Sequence, residues 1–323
     1  MAERAGLASD TAAGAEGAHA CAGQPRPSRP AAGAGPGRQV LAPTIATELE
    51  AVKAQAGGEN FPVASRLLAR RQRERLWALY GYARVVDDIG DRAPGDRGAL
   101  LDAVEAELDL VYASEPSWPV MRALAATVRA CEIPRHPLQA LISANRQDQR
   151  VSSYDTFAQL LAYCELSANP VGHLVLYVFG AATPERIWLS DRVCTALQLV
   201  EHCQDVVEDL ERGRIYLPAE DRERFGCSPG DLALCPAPER VRELIRFELE
   251  RTRQILGEGA PLVGTLHGRP RLAVAAFVAG GRSAIRAIKR RDCDVSGGPP
   301  RAGHAARAAA TLSVLLAPGR SSR

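Results

Sequence analysis

Residues 198–209 read QLVEHCQDVVED, a segment whose polar and apolar residues repeat with the period of an α-helix. At 3.6 residues per turn, one stripe holds Gln198, Glu201, Asp205, Asp209 and Arg212. The opposite, apolar stripe holds Leu199, Cys203, Val206, Val207 and Leu210. A helix of this kind packs its apolar stripe on a core and leaves its polar stripe for solvent or for a functional site.

The same helical period recurs over most of the chain, with Pro and Gly mainly between the periodic segments. Thr183-Pro184-Glu185 is the clearest helix start, an N-cap followed by proline at the first helical position. The pattern predicts helices over roughly residues 42–56, 72–90, 96–114, 118–131, 136–150, 154–180 (broken near Pro170), 184–211, 239–257 and 269–292. We therefore predict an all-α fold, a single-domain helical bundle with one core.

Composition restricts the class of protein. The chain has 323 residues, of which 46% are hydrophobic and 24% charged, as in a soluble globular protein. A net charge of +2 argues against a nucleic-acid partner. The eight cysteines show no C-x-x-C spacing, and no apolar run is long enough to span a bilayer, so we expect a cytoplasmic protein.

Both ends of the chain differ from the middle in composition. Residues 1–40 are rich in Ala, Gly and Pro and are predicted to be a disordered extension. Residues 41–295 form the predicted helical domain, and 296–323 a disordered, arginine-containing tail. Contact of this tail with an anionic membrane, at the inner face, stays open, although composition favours a plain disordered end.

A second acidic segment, RVVDDIGD, occupies residues 84–91. Asp87 and Asp91 lie four residues apart, as Asp205 and Asp209 do, so each pair shares one helix face. Taken alone, either pair is more typical of a solvated surface helix. However, carboxylates at this spacing repel each other, and the uncompensated pattern occurs twice, more than 100 residues apart. Because Mg²⁺ prefers carboxylate and phosphate oxygens, the two pairs together indicate a magnesium–diphosphate site.

The run ERGRIYLP at residues 211–218 directly follows the second pair. Gly213 lets the chain turn, and Arg212 and Arg214 are candidates for binding the same diphosphate. Two arginines at a helix C-terminus also complement the helix dipole, which is the alternative interpretation.

Together these segments resemble the squalene/phytoene synthase family. The resemblance rests on the order and separation of RVVDDIGD, the Asp205–Asp209 helix and RGRIYLP, and covers roughly residues 45–295. Tyr163-Cys164 followed by Asn169-Pro170-Val171-Gly172 is similar to a helix break in the middle of the family's chains. Residues 282–295 are similar to its last helix.

The resemblance implies an isoprenoid synthase fold with a central cavity and several Mg²⁺ ions. It assigns the magnesium ions, and with them the catalytic role, to Asp87, Asp91, Asp205 and Asp209. Substrate-binding positions would be Asn60, Arg84, Gln198, Arg214, Tyr216 and Arg282. Cavity positions would be Phe61, Tyr163, Leu166 and Asn169.

Three departures from the family pattern point to one branch of it. The chain has Glu59-Asn60-Phe61-Pro62 where relatives carry a serine, and Leu166 where many keep a tyrosine. Glu201 and Gln204 replace the usual residues beside Asp205, and are candidates for placing a water molecule or for tuning the magnesium site. The pattern is most similar to the hopanoid-pathway branch that adds water to presqualene diphosphate to give hydroxysqualene, with no NADPH expected. That branch implies two pathway partners, the enzyme that makes presqualene diphosphate and a downstream flavin oxidoreductase.

Three other functions remain open from the sequence. An NADPH-dependent squalene synthase would act on the same intermediate, and the absence of a dinucleotide motif does not exclude it. A phytoene synthase would take longer diphosphates. A non-catalytic helical binding protein with the same fold would be expected to lose acidic residues that this chain retains.

Overall fold

The computed structural model describes residues 68–298 and 310–315, and the regular secondary structure in these ranges is helical. The elements are α1 (Arg70–Arg92), α2 (Arg97–Ala113), α3 (Pro119–Cys131), α4 (Arg135–Asp148), α5 (Phe157–Ser167), α6 (Asn169–Val178), α7 (Pro184–Gln204), α8 (Val206–Glu211), α9 (Ala219–Arg224), a 3-10 helix (Pro229–Ala233), α10 (Glu239–Gly259), α11 (Leu262–Thr265) and α12 (Gly268–Arg290). The all-α prediction is confirmed. The predicted helix 42–56, the extension 1–40, Asn60 and Phe61 lie outside the described residues.

Local sequence explains where several helices begin. The side chains of Asp96, Thr156 and Thr183 accept hydrogen bonds from backbone N–H groups in the first turns of α2, α5 and α7. Pro184 occupies the first position of α7, as the Thr-Pro-Glu signal predicts.

Two predicted helices are interrupted. The segment 154–180 begins only at Phe157, after the Thr156 cap, and divides at Ala168 because Pro170 must sit in the first turn of a new helix. The segment 184–211 divides at Asp205, whose backbone (φ −102°, ψ 18°) leaves helical geometry. The short helices α9 and α11 and the 3-10 helix were not predicted, since each is too short to show a helical period in its apolar residues.

The core consists of two clusters of buried apolar side chains, where the sequence predicts one. The first is built mainly from α1, α2, α3 and α4, and the second mainly from α5, α7, α10 and α12. Helices α4 and α6 contribute to both: Ile142 and Leu174 to the first, Ala144 and Leu176 to the second. This division arises because residues two apart on an α-helix point to roughly opposite sides, so one helix serves two packing faces.

Part of the predicted disordered tail is helical. Residues 310–315 form one short helical segment in which Ala310 and Val314 are buried against the second cluster. Arg271 donates a hydrogen bond to the carbonyl of Leu315 at 3.2 Å. Within the described ranges, no helix combines the length and apolar character that a membrane span requires.

Candidate active site

The first acidic segment forms the C-terminal half of α1 and faces α4. The amide of Asn145 on α4 donates a hydrogen bond to Asp87 Oδ1 at 3.1 Å. Gly90 makes this approach possible, because a Cβ there would lie 1.9 Å from Asn145 Oδ1. The pKa of Asp87 is raised to about 6, mainly by burial. The Asn145 hydrogen bond opposes this rise, and the charge of Asp91 adds to it. The carboxylate therefore lies in a partly desolvated site where a bound cation would stabilise its ionised form.

Arg84 is held on the same helix by a residue that the sequence did not single out. Its guanidinium contacts both carboxylate oxygens of Asp88, each at 3.1 Å. This two-point contact fixes the planar arginine fork within the first acidic segment.

The second acidic segment bends at Asp205 without losing its backbone hydrogen bonds. The Asp205 N–H still donates to the Glu201 carbonyl at 2.9 Å, and the Asp209 N–H to the Asp205 carbonyl at 2.8 Å. The predicted spacing of Asp205 and Asp209 along a helical path is therefore retained. Glu201 is exposed and Gln204 is half-buried, next to this bend.

His202, to which the sequence assigned no role, is buried beneath Asp209. Its ring stacks on Tyr216 with centroids 3.8 Å apart, and its Nδ1 lies 3.9 Å from Asp209 Oδ2. The predicted substrate residue Gln198 contacts His202 Nε2 through its amide nitrogen at 3.2 Å. Burial lowers the pKa of His202, while Asp209 raises it. A neutral imidazole thus supports the Asp209 side of the site.

The loop after α8 brings the two acidic segments together. Gly213 adopts a positive φ of 75°, and the Arg214 N–H donates back to the Asp209 carbonyl at 2.8 Å. From this turn the Arg214 side chain donates to Asp91 Oδ1 at 3.1 Å. A residue adjoining the second acidic segment therefore bonds directly to the first, 123 positions away in the chain.

Asp148, at the end of α4, is a further acidic group in this site. Its Oδ2 accepts a hydrogen bond from the Tyr163 hydroxyl at 2.9 Å. Burial raises the pKa of Asp148 to about 6; the Tyr163 hydrogen bond and Arg214 oppose this, and Asp91 and Asp87 add to it. Asp148 thus lies near the first acidic segment and the Arg214 side chain.

Tyr163 belongs to a cluster of tyrosine rings on one side of the site. The Tyr163 and Tyr216 rings stack with centroids 5.8 Å apart, and Tyr154 lies 5.4 Å from Tyr163. Leu166 packs against the second core cluster. Asn169, predicted at the cavity, is buried and accepts a hydrogen bond from the Thr195 hydroxyl at 2.9 Å, which ties α6 to α7.

Arg282 on α12 is half-buried and makes no hydrogen bond or ion pair with another described residue. The neighbouring Gly281 packs against Leu197, one residue before Gln198 on α7. Burial and the charge of Arg286 both lower the pKa of Arg282. A desolvated guanidinium beside α7, with no counter-ion in the part of the chain that the structure describes, is suited to an anionic ligand.

Sequence reasoning missed Asn145, Asp148 and His202. The first two belong to the polar run NRQD at the end of a helix, which is indistinguishable in sequence from a solvated helix end. His202 was a lone histidine near a polar stripe. Only the packing of α4 against α1 and of Tyr216 against α7 gives these residues their positions.

The donor set fits magnesium shared with a substrate. Among residues 68–298 and 310–315, no three acidic, His or Cys side chains form a ready-made metal cage. Mg²⁺ is usually held by one or two carboxylates together with substrate phosphates and water. Carboxylate pairs on separate segments, linked through Arg214 and accompanied by Arg282, which has no ion-pair partner among the described residues, match that mode of binding.

Comparison with known proteins agrees with this architecture. The solved structure of a squalene synthase from Alicyclobacillus acidocaldarius superposes with a TM-score of 0.72 at 40% sequence identity, covering 76% of this chain and 94% of that one. The fold is therefore that of the helical isoprenoid synthases. Residues 54–309 match the family model described as squalene/phytoene synthase. The chain belongs to the squalene/phytoene synthase family, whose enzymes process isoprenoid diphosphates.

Curated relatives carry more than one activity. The hydroxysqualene synthase of Zymomonas mobilis is 34% identical over 216 residues, which are 65% of this chain and 72% of that protein. The phytoene synthase of Arthrospira platensis is 31% identical over 252 residues, which are 73% of this chain and 82% of that protein. These similarities establish the family and leave the particular reaction to be proposed.

Proposed function

We propose that this protein converts presqualene diphosphate and water to hydroxysqualene and diphosphate, with Mg²⁺ bound at the two acidic segments. The observation that carries the proposal is the Arg214–Asp91 contact, because it brings the second acidic segment to the first. The similarity to a hydroxysqualene synthase and the replacements at Glu201, Gln204 and Leu166 favour this reaction within the family.

In this proposal Asp87, Asp91, Asp205 and Asp209 hold the magnesium ions. When bound, Mg²⁺ supplies positive charge that stabilises a departing diphosphate. Arg214 and Arg282 add fixed positive charge from the protein, Arg214 from the loop after α8 and Arg282 from α12. Arg84, Gln198, Tyr216 and, outside the described residues, Asn60 are the remaining proposed substrate-binding positions.

The rest of the site has to control the carbocation that forms when diphosphate leaves. Tyr163, Tyr216 and Tyr154 present aromatic rings, whose faces attract positive charge. Leu166, together with Phe61 beyond the described range and Asn169 at the break between α5 and α6, completes the proposed cavity wall. Apolar walls exclude bulk water, so the outcome depends on where a single water molecule is admitted. Glu201 and Gln204 are proposed to shape the magnesium side of the cavity.

Two rival reactions have specific support. The Alicyclobacillus acidocaldarius structure is described as a squalene synthase, which favours reduction of the same intermediate. The similarity to a phytoene synthase favours condensation of longer diphosphates. Neither rival requires a different arrangement of the acidic segments, so the product has to be measured.

The test is product analysis with purified protein and Mg²⁺. Farnesyl, geranylgeranyl and presqualene diphosphate are supplied separately, each with and without NADPH, and the products are identified by gas chromatography and mass spectrometry. We expect hydroxysqualene from presqualene diphosphate without NADPH, and no product from Asp87→Asn or Asp205→Asn protein or after chelation. Squalene that requires NADPH, or phytoene from geranylgeranyl diphosphate, would replace the proposal with the corresponding rival. Absence of any product would favour a non-catalytic role.

A further inference from the structure

One carboxylate oxygen in the site has no hydrogen-bond partner among residues 68–298 and 310–315. Asp148 Oδ2 accepts the Tyr163 hydroxyl, but Oδ1 is buried and accepts no hydrogen bond from these residues. A buried acceptor left unsatisfied costs about 1–3 kcal/mol, so native proteins rarely retain one without a reason. The cost is larger when the acceptor carries a charge.

The orientation of this carboxylate is fixed by its neighbours. Tyr163 is itself buried and packed against the Tyr154 and Tyr216 rings, so the hydroxyl that holds Oδ2 has little freedom. Asp148 is the last residue of α4, three residues after Asn145, whose amide is bound to Asp87. Oδ1 therefore has a defined position close to the first acidic segment.

The chemistry of the surroundings restricts what Oδ1 can bind. A carboxylate oxygen accepts hydrogen bonds or binds a cation, so it repels a phosphate oxygen. Arg214, whose charge acts on Asp148, donates its hydrogen bond to Asp91. A water molecule is small enough for a buried position and supplies the donor that the protein lacks.

We infer that Asp148 Oδ1 binds the water molecule that attacks the carbocation, with Tyr163 fixing the carboxylate; this inference rests on the proposed function. In the reaction, the carbon–oxygen bond to diphosphate breaks and the water oxygen forms the new bond to the cationic carbon. The proton that this water loses passes to Asp148 Oδ1 and then to the released diphosphate. No oxidant or reductant is required.

The test measures how the cation is partitioned among products. Asp148→Leu replaces both oxygens with methyl groups on the same branched skeleton, and Asp109→Leu on the exposed face of α2 is the matched control. With presqualene diphosphate and Mg²⁺, we expect Asp148→Leu to release diphosphate but to form about tenfold less hydroxysqualene per diphosphate, with hydrocarbons from proton loss in its place. Asp109→Leu should keep the wild-type ratio. Tyr163→Phe, which keeps Asp148 and loses its fixed orientation, should shift the ratio in the same direction by a smaller factor.

Several outcomes would overturn the inference. One is an unchanged ratio of alcohol to diphosphate in Asp148→Leu, or in Tyr163→Phe should Asp148→Leu fail to fold. Another is loss of diphosphate release with a raised Mg²⁺ requirement, which would make Asp148 a metal-binding residue. Wild-type protein that forms no hydroxysqualene would refute the proposed function itself, which separates the two failures.

Discussion

Gly90→Ala tests how Asp87 is positioned, because the added methyl group occupies the space of the residue that holds it. The Cβ would lie 1.9 Å from Asn145 Oδ1 and 2.8 Å from Asn145 Cγ, so the Asn145 amide must leave Asp87. Loss of a hydrogen bond to a charged acceptor costs about 1.5–3 kcal/mol. Overpacking adds about 1–3 kcal/mol, and the better helix propensity of alanine returns about 1 kcal/mol. We therefore expect a net loss of about 1.5–5 kcal/mol in the free energy of unfolding, and at least about tenfold slower diphosphate release.

The measurements are urea unfolding followed by far-UV circular dichroism and initial rates of diphosphate release. Gly257→Ala on α10 is the control, since a Cβ there meets no atom within 4 Å, and it should keep wild-type turnover. In an Asn145→Ala background the Oδ1 and Cγ contacts are absent and only the 3.2 Å approach to the Cβ of residue 145 remains, so Gly90→Ala should destabilise the protein much less, while turnover stays low. Wild-type stability and turnover in the Gly90→Ala protein would refute the claim that Asn145 orients Asp87.

Three further predictions concern other parts of the molecule. Arg214→Ala should slow diphosphate release by roughly tenfold to a hundredfold at unchanged helical content, because a charged hydrogen bond worth about 1.5–3 kcal/mol is lost; unchanged kinetics would show that Arg214 does not link the acidic segments. Burial raises the pKa of Glu248 to about 7 from its ordinary 4.5, so its contribution to stability is full below about pH 4.5 and is lost as the pH rises through 7. The free energy of unfolding should therefore fall between pH 5 and 8, and Glu248→Gln should make this fall smaller by up to about 3 kcal/mol. An unchanged dependence on pH in Glu248→Gln would contradict a raised pKa of Glu248. Gly259→Ala should lower unfolding free energy by about 2–3 kcal/mol, because its Cβ would lie 2.7 Å from Val193 N and 2.8 Å from Leu189 O; full stability would show that α10 and α7 can separate.

Periodicity predicted most of the helices because it reports which face of each helix is buried. The starts of α5 and α7 were readable from Thr156 and Thr183, whose capping depends on local sequence alone. The bend at Asp205 was not readable, since the flanking residues keep their helical hydrogen bonds and the apolar stripe continues through it. The division of the core into two clusters also depends on tertiary packing that one helix pattern does not contain.

The candidate site likewise contains residues that the sequence identifies and residues that only tertiary contacts bring to the site. The repeated carboxylate spacing identified Asp87, Asp91, Asp205 and Asp209 as candidate magnesium residues, because like charges four residues apart on a helix need an external cation. Asp148 carries no such mark, and its place in the site comes from the contact of α4 with α1 and from the Tyr163 hydroxyl. For Arg84, the sequence spacing placed the side chain on the Asp87 face of the helix but did not identify its partner. In the structure its guanidinium contacts Asp88.

We propose above all that both acidic segments bind one diphosphate through shared metal ions. The most direct measurement is a crystal structure with Mn²⁺ and a non-hydrolysable thio-analogue of the diphosphate substrate, with the metal located by anomalous scattering. We expect manganese peaks bonded to the diphosphate, with carboxylates of α1 on one side and Asp205 or Asp209 on the other. Metal bound to a single segment, or a diphosphate remote from Arg214, would contradict this proposal.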